Sequence, residues 1–334
     1  MFNTASFTAK HIVMKQSNSV SGGAFYANGC VINLYNATLD SNFANVEGGA
    51  IYAYKTDVNL PKSTITNNRA NSAGGILHSF NVLNLDNSLF QNNSIAALIL
   101  SEGTYNMKNV QFLQNNVSLV VKFYLIDIKG FDGGAVQGSR TTVSYYNCTF
   151  FHNTASGIGG ALNYFASTST FDSCQFQYNT AKDAGAIASI EGNVFIMNSL
   201  FDSNSAKVYG GALKVSGSSQ LVLKNSVLSR NKASQGGGIY FDSFKSNQIS
   251  NTEFYQNVAA QQGGSIFQSD GIVTTINCTF GGNSAIDGGV LVITAFAQFS
   301  SNSNNFIKKF SMLTFHKVLY TKTMLQKVGE QFLH

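Results

Sequence analysis

Apolar and polar residues alternate at one recurring place in the chain, shortly after a pair of glycines. A large apolar residue follows every pair, and these residues are Phe25, Ile51, Leu77, Val136, Leu162, Ile187, Leu213, Ile239, Ile266 and Leu291. The position after each is mixed and mostly polar, as in Tyr26, Tyr52, His78, Gln137, Asn163 and Lys214. An inward residue followed by an outward one is the period of a β-strand. The pattern therefore predicts a short strand after each glycine pair.

A second motif runs in phase with the first and places an aromatic residue three positions before an asparagine, as in FQYN and FDSN. The aromatic column contains Phe90, Phe150, Phe176, Phe201, Phe254 and Phe280, and the asparagine column contains Asn153, Asn179, Asn204, Asn231, Asn257 and Asn283. In stacked strands, identical side chains repeat about every 4.8 Å. We therefore predict a ladder of phenylalanine rings in the core and a ladder of hydrogen-bonded asparagine amides beside it.

The glycine pairs define the period of the repeat and, with it, the fold class. They begin at Gly22, Gly48, Gly74, Gly133, Gly159, Gly210, Gly237, Gly263 and Gly288, Ala184-Gly185 replaces one more, and neighbouring steps are near 26 residues. A repeat of this length buries its apolar face only by stacking on the next repeat. Helices would lose about 1 kcal/mol at each glycine, and a propeller blade needs about 40–45 residues. We predict an all-β, single-stranded parallel β-helix, right-handed by the crossover rule.

Two irregular segments set the predicted domain boundaries. The β-helix spans residues 1–305 and contains an irregular coil or insertion at about 94–132, which is read either as a bulging strand pair or as an apolar protrusion that contacts a partner. Residues 306–334 form a basic tail with approximately helical apolar spacing. This tail is read as an amphipathic helix that caps the coil stack, as a membrane-surface helix, or as the product of a wrong gene model.

Composition and charge narrow the class of protein. Only 11% of residues are charged, against about 25% in typical soluble domains. The tail carries Lys308, Lys309, Lys317, Lys322 and Lys327 against Glu330 alone, so the remainder is close to neutral. A nucleic-acid-binding face would need a basic stripe, and we expect no nucleic-acid partner. Neither a secretion signal nor an apolar membrane span is evident, so we expect a fragment or a misplaced start.

Candidate catalytic chemistry is sparse in this sequence. Asp242 and Asp270 fall on neighbouring coils and are the nearest approach to a carboxylate pair, although solvated turn residues are the alternative reading. Four other acidic residues precede glycine pairs on mostly non-adjacent coils: Glu47, Asp132, Asp183 and Asp287. The histidines fall in different columns, so we predict no metal site, no catalytic residue and no cofactor.

Cysteines and glycosylation sequons add two further candidates. Cys148 and Cys174 share one column on neighbouring coils, which places them within reach of a disulfide or leaves them as two buried thiols. Sequons occur at Asn36, Asn92, Asn116, Asn147 and Asn277. Asn36, Asn147 and Asn277 belong to another column of asparagines that we expect to be buried. Asn92 and Asn116 are therefore the predicted N-glycosylation sites.

The two motifs together resemble the repeats of the polymorphic outer-membrane protein family. GGAIYA (48–53), FQYNTA (176–181) and FDSNSA (201–206) carry the resemblance, which extends over roughly residues 20–300. The resemblance implies a β-helical passenger of the pectin-lyase-like fold at the cell surface, with a role in adhesion. That family also carries a secretion signal and a C-terminal membrane β-barrel, which we do not find in this sequence.

Three functional hypotheses follow. The first is a non-enzymatic, adhesin-like β-helix at the cell surface or outside the cell, a glycoprotein that displays binding faces to protein or glycan ligands. The second is a polysaccharide-active enzyme of the pectin-lyase-like class, and the third is a structural spacer within a larger surface protein. We expect membrane contact only through segments missing from this chain or through the basic tail.

Overall fold

The computed structural model describes residues 5–117, 133–307 and 314–315, and within these residues the protein is a parallel β-helix without α-helices. It makes about 11 turns of about 26 residues each. All strand pairs are parallel, and each coil pairs with the next in register, as in Phe150↔Phe176 and Phe176↔Phe201. The predicted fold class is therefore confirmed.

The strands are short, and each coil contributes several of them. In the first part of the chain they are β1 Ser6–Lys10, β2 Val13–Lys15, β3 Asn18–Ser21, β4 Phe25–Asn28, β5 Val31–Tyr35, β6 Thr38–Asp40, β7 Phe43–Glu47, β8 Ile51–Tyr54, β9 Asp57–Pro61, β10 Thr64–Thr66, β11 Ile76–Asp86, β12 Leu89–Gln91, β13 Leu98–Lys108, β14 Gln111–Leu113 and β15 Asn116–Val117. In the middle part they are β16 Val136–Ser139, β17 Thr142–Tyr146, β18 Thr149–Phe151, β19 Thr154–Ala155, β20 Leu162–Phe165, β21 Thr168–Asp172, β22 Gln175–Gln177, β23 Thr180–Ala181, β24 Ile187–Ile190, β25 Asn193–Met197, β26 Leu200–Asp202, β27 Ser205–Ala206 and β28 Leu213–Gly217. The last are β29 Gln220–Lys224, β30 Val227–Ser229, β31 Lys232–Gln235, β32 Ile239–Ser250, β33 Glu253–Tyr255, β34 Val258–Gln262, β35 Ile266–Ile276, β36 Thr279–Gly281, β37 Leu291–Asn302, β38 Asn305–Ile307 and β39 Thr314–Phe315.

These strands form three faces of the coil stack. The first face is a sheet of 19 strands that contains β4, β5 and their equivalents, and the second is a sheet of 12 strands that begins with β2 and β6. The third face is made by β3 and β7 and, further along the chain, by β15, β19, β23, β27, β31 and β34. Around one coil the chain passes from the first face to the second and third, and then through the glycine pair to the next coil.

The core contains the phenylalanine stack, which runs along the second face. The rings of Phe150 and Phe176 lie 4.6 Å apart with planes 1° apart, and Phe201 stacks on Phe176 in the same way. Leu228 takes the next place, and stacking resumes from Phe254 through Phe280 to Phe306. The stack therefore buries one large side chain per coil, as dispersion and hydrophobic burial favour.

The asparagine ladder fixes the corner between the second and third faces. Asn204 accepts hydrogen bonds from the backbone N and Nδ2 of Asn179 at 3.0 and 2.9 Å. Its own Nδ2 donates to Phe176 O at 2.9 Å and to Asn231 Oδ1 at 3.0 Å. Because each buried amide binds both the preceding and the following coil, the ladder satisfies polar groups that would otherwise be buried without partners.

The second glycine of each pair is required by close stacking of the backbone. A Cβ placed on Gly160 would lie 2.1 Å from Gly185 O, and one on Gly185 would lie 2.1 Å from Gly211 O. The first residue of the pair has a positive φ, as in Gly159 (71°) and Gly210 (64°). Both positions therefore favour a residue without a side chain.

Two details of the predicted register are wrong, and both follow from where a corner begins. The third corner starts at Ala73, so Ile76 pairs with Ile51 in the inward column, while Leu77 pairs with Tyr52. His78 consequently points inward and is buried. Further on, the pair is Gly236-Gly237 and not Gly237-Gly238, because Gly236 carries the positive φ of 65°.

The predicted irregular segments are described only in part. Residues 94–117 stack in register as β13, β14 and β15, with Ile95 and Ala96 at positive φ making a corner without glycine. The remainder of the predicted insertion, 118–132, lies outside the described residues. In the tail, β38 continues the stack and β39 pairs with β37. The rest of the predicted helical tail, residues 308–313 and 316–334, also lies outside the described residues.

The asparagine ladder yields a stability prediction. Asn204→Ala removes four side-chain hydrogen bonds from a buried site, and an unpaired buried group costs about 1–3 kcal/mol. We expect the free energy of unfolding in urea to fall by about 4 kcal/mol. Asn84→Ala, in a ladder on the outer side of β11 with Asn59 and Asn106, is the matched control and should cost under about 1 kcal/mol. Equal losses in the two variants would contradict the role assigned to the inner ladder.

Buried His78 yields a prediction on pH. Burial lowers the pKa of His78 from 6.5 to about 4, although Nε2 bonds Thr56 O at 2.8 Å. Between these values the unfolded chain binds a proton that the folded chain does not. Stability should therefore fall by about 3 kcal/mol as pH falls from 6.5 to 4. The variant His78→Leu introduces the residue that occupies the same column on the next coil, Leu100. It should remove this pH-dependent loss of stability, as measured by urea unfolding between pH 4 and 6.5. If stability depends on pH as steeply in the variant as in the original protein, the assignment to His78 is wrong.

Candidate functional site

The predicted carboxylate pair is brought into register but is engaged in local hydrogen bonds. Asp242 on β32 pairs with Asp270 on β35. Asp242 is exposed and accepts from Ser269 Oγ at 3.1 Å, while Asp270 accepts from the Gly271 backbone N at 2.6 Å. Among the described residues, no group of three or more His, Cys, Asp or Glu side chains is placed to hold a metal ion.

Cys148 and Cys174 lie on neighbouring coils, and the structure describes both as free buried thiols. Each Sγ bonds backbone carbonyl oxygens: Cys148 that of Met107 at 3.4 Å, and Cys174 that of Asp172 at 3.4 Å. The hydrogen bond to Cys148 and burial raise the pKa of the Cys174 thiol. This thiol is therefore protonated at neutral pH, and the disulfide stays a prediction.

The sequons occupy exposed positions, which corrects one prediction. Asn92 and Asn116, the predicted N-glycosylation sites, are both exposed. Asn36, Asn147 and Asn277 are exposed as well, so the expectation that their column is buried is wrong. That column lies on the outside of the corner between the first and second faces, because its residues adopt positive φ and direct their side chains outward.

A concave corner along the glycine pairs is the most distinctive surface of the molecule. One side, the outer column, is the outward-facing position next to the inward apolar residue: Tyr26, Tyr52, Leu77, Ile99, Gln137, Asn163, Ala188, Lys214, Tyr240, Phe267 and Val292. The other side, the rim column, ends the third face: Ser21, Glu47, Ile158, Asp183, Tyr209, Gln235, Gln262 and Asp287. Many outer-column residues are buried although they face away from the core, and contacts such as that between Tyr209 and Tyr240 join the two columns.

An ion pair bridges the two sides in the middle of the concave corner. Lys214 Nζ lies 2.9 Å from Asp183 Oδ2, and the two side chains are 16% and 13% exposed. The same Nζ lies 4.9 Å from the centre of the Tyr209 ring. Attraction between the ammonium and both groups holds the long lysine side chain across the corner. The second carboxylate oxygen, Asp183 Oδ1, is buried and has no hydrogen-bond partner in the part of the chain that the structure describes.

Asn163 lies two coils before Lys214 in the outer column, with the small Ala188 between them. It is 1% exposed, and neither Oδ1 nor Nδ2 of its amide has a hydrogen-bond partner within residues 5–117, 133–307 and 314–315. An unpaired buried amide costs free energy that a hydrophobic residue of the same size would not. The middle of the concave corner therefore holds a donor and acceptors that no described residue satisfies.

Aromatic and apolar side chains line the two ends of the concave corner. Tyr209 packs on Tyr240 at 4.5 Å, and Tyr240 stacks on Phe267 at 5.3 Å. At the other end Tyr26 stacks on Tyr52 at 5.1 Å, and Tyr26 is 62% exposed. Burial raises the pKa of Glu47 nearby. The arrangement combines ring faces, amides and one neutralised ion pair, which suits recognition of an uncharged polar molecule.

Sequence reasoning identified the members of this site without bringing them together. Asn163 and Lys214 appeared in the mixed column after the glycine pair, and Asp183 in the column before it. The overlooked signal is that a glycine pair between two columns makes a tight turn. Such a turn brings the two columns face to face, so residues on either side of it can form one site.

Comparison with known proteins identifies the fold and nothing closer. A family model described as the right-handed β-helix region matches residues 136–306, about half of the chain. No curated protein and no solved structure matches this chain. In the described part of the chain, no helix is long and apolar enough to cross a membrane.

The unpaired amide yields a prediction on stability. Asn163→Leu keeps the volume and removes both unsatisfied polar atoms, so the free energy of unfolding should rise by about 1 kcal/mol. Asn106→Leu, an exposed amide on β13 that donates to Asn84, is the control and should give no gain. Urea unfolding of the ligand-free protein measures both. A loss at Asn163→Leu as large as that expected for Asn204→Ala would show that the amide is satisfied.

Proposed function

The chain belongs to the family of right-handed β-helix regions, and from this premise we propose that it is a non-enzymatic protein of the cell surface or extracellular space that binds ligands in its concave corner. Its repeats resemble those of the polymorphic outer-membrane proteins, which supports an adhesin-like role. A rigid coil stack can present such a site along its length, because each coil holds its outward residues at a fixed spacing.

The observation that carries this proposal is the unsatisfied polar set in the middle of the concave corner. Among the described residues, nothing pairs with the amide donor and acceptor of buried Asn163 or with Asp183 Oδ1. Native proteins leave few such groups, and each calls for an explanation. Because these atoms are buried, a ligand supplies the missing partners only when the concave corner opens to admit it, and such a ligand accounts for both residues at once.

The chemistry of the site favours a neutral glycan. Lys214 neutralises Asp183, so the site has no excess positive charge to attract a uronate. The hydroxyl groups of a sugar are both donors and acceptors and complement an amide and a carboxylate oxygen. The rings of Tyr209 and Tyr240 offer the apolar contact that a sugar ring needs. We therefore assign uncharged sugars as the ligand class.

One observation favours a second function, polysaccharide cleavage. Asp242 and Asp270 lie opposite each other on paired strands, and glycoside hydrolysis uses two neighbouring carboxylates. Their hydrogen bonds to Ser269 and Gly271 are those of turn residues, however. The enzymatic alternative therefore needs evidence of turnover.

A binding and turnover experiment tests both functions. The full chain is applied to an array of neutral and uronate oligosaccharides, and the same sugars are incubated with it and analysed for cleavage. We expect binding of neutral sugars without cleavage. Asn163→Leu should weaken binding about tenfold, as loss of about 1.4 kcal/mol of hydrogen bonding predicts, and the control Asn106→Leu should leave it unchanged.

Two results would overturn the proposal. Unchanged affinity in folded Asn163→Leu would remove the concave corner as the binding site. Cleavage of any array sugar that is lost in Asp242→Asn or Asp270→Asn would establish the enzymatic alternative instead. The stability measurement described above identifies a variant that has simply failed to fold.

A further inference from the structure

The exposed asparagine corner between the first and second faces carries its own hydrogen-bonded ladder. Asn109 Nδ2 donates to Asn87 Oδ1 at 3.1 Å, and Asn147 Nδ2 donates to Asn109 Oδ1 at 2.9 Å. A second run contains Asn198, Asn225, Asn251 and Asn277, and each later member donates to the one before it at 3.5, 3.1 and 2.8 Å. At the start of the chain, Asn36 Nδ2 bonds His11 Nδ1 at 2.8 Å.

The three sequons of this corner are the last residues of these three runs. The next coil places Lys62 after Asn36, Ser173 after Asn147 and Ser303 after Asn277, and all three are at positive φ in the same corner. Each sequon asparagine therefore donates to the coil before it and has no asparagine above it. Every asparagine inside a run instead accepts a bond from the next one. The sequons thus coincide with the positions where no asparagine of the following coil donates to the side-chain oxygen.

We infer that Asn36, Asn147 and Asn277 are N-glycosylation sites, arranged in a row along this outer corner. An asparagine amide nitrogen carries two hydrogens, and glycosylation replaces only one. The remaining N–H can keep the bond to the preceding coil, at Asn109 or Asn251. A sugar at the end of a run displaces no ladder partner, because the residues above are a lysine or a serine. The ladder and the modification are therefore compatible.

The transfer itself has an ordinary balance. The donor is an oligosaccharide linked through a diphosphate to a polyprenyl lipid. A bond forms between asparagine Nδ2 and the anomeric carbon of the sugar, the bond from that carbon to the diphosphate oxygen breaks, and the amide proton leaves while the polyprenyl diphosphate departs. Addition during synthesis precedes coil stacking, so the burial of Ala37, Cys148 and Cys278 between each asparagine and its threonine is no obstacle.

The position of the row agrees with the binding function. Around a coil, the asparagine corner is separated from the concave corner by the strands of the first face on one side and by the second and third faces on the other. Sugars attached here would cover an exposed edge and leave the concave corner open. This inference rests on the extracellular location proposed above, and an added secretion leader in the test makes its outcome independent of the native route.

Site-resolved mass spectrometry tests the inference. The full chain, preceded by a secretion leader, is produced in a eukaryotic secretory host and treated with a peptide N-glycosidase, which converts each occupied asparagine to aspartate. We expect conversion at Asn36, Asn147 and Asn277. Thr38→Ala, Thr149→Ala and Thr279→Ala should each remove one glycosidase-sensitive step on a gel while leaving the ladder asparagine in place. The conservative Thr149→Ser should retain its step, and Asn225→Gln, inside a run, should change nothing.

The outcomes separate this inference from the sequence-based expectation for Asn92 and Asn116. Occupancy of Asn92 or Asn116 with none of the three corner residues modified would overturn it. Full occupancy of the corner together with sugar binding at the concave corner would support both proposals. Occupancy without sugar binding would leave the glycosylation row standing and refute only the proposed function.

Discussion

The buried asparagine ladder is the interaction on which the rest of the structure depends. Each amide joins three consecutive coils, since it binds a carbonyl of the coil before it and an amide of the coil after it. The ladder is continuous from Asn42 to Asn283, whereas the phenylalanine stack is interrupted at Leu228. Apolar packing therefore tolerates substitution within a column, but a buried amide without its neighbours would leave several polar groups unpaired. This asymmetry explains why the first residue of the FxxN motif varies and its asparagine does not.

The fold could be predicted from the sequence because stacking turns similarity between repeats into contact. Columns that align in the sequence, such as Phe150 with Phe176, align in space through a register that each hydrogen-bonded coil passes to the next. The errors arose where the glycine signal was ambiguous. A run of three glycines at 236–238 allows two phases, and Ala73 makes a corner without the expected pair. One misplaced residue reverses the direction of every side chain on a strand, and His78 moved from the surface to the core in this way.

The candidate site was less predictable, for a different physical reason. Sequence columns show which residues follow one another along the axis, but not how two faces bend toward each other. Asp183 and Lys214 belong to different columns and different coils, and only the turn at the glycine pair brings them to 2.9 Å. The exposure of the outer asparagines was also misjudged. Two asparagine columns with similar spacing differ in whether their corner directs the side chain inward or outward, and this depends on backbone dihedral angles that the residue type does not reveal.

The two kinds of asparagine ladder have opposite polarity along the rod. In the inner ladder each Nδ2 donates to the asparagine Oδ1 of the later coil, as from Asn153 to Asn179. In the outer ladders every Nδ2 points toward the earlier coil, as from Asn147 to Asn109 and from Asn84 to Asn59. Aligned amide dipoles add up, as they do in a helix, and opposed sets offset one another. Wherever an outer ladder runs beside the inner one, an added coil therefore contributes amide dipoles of both directions, which partly offset each other along the rod.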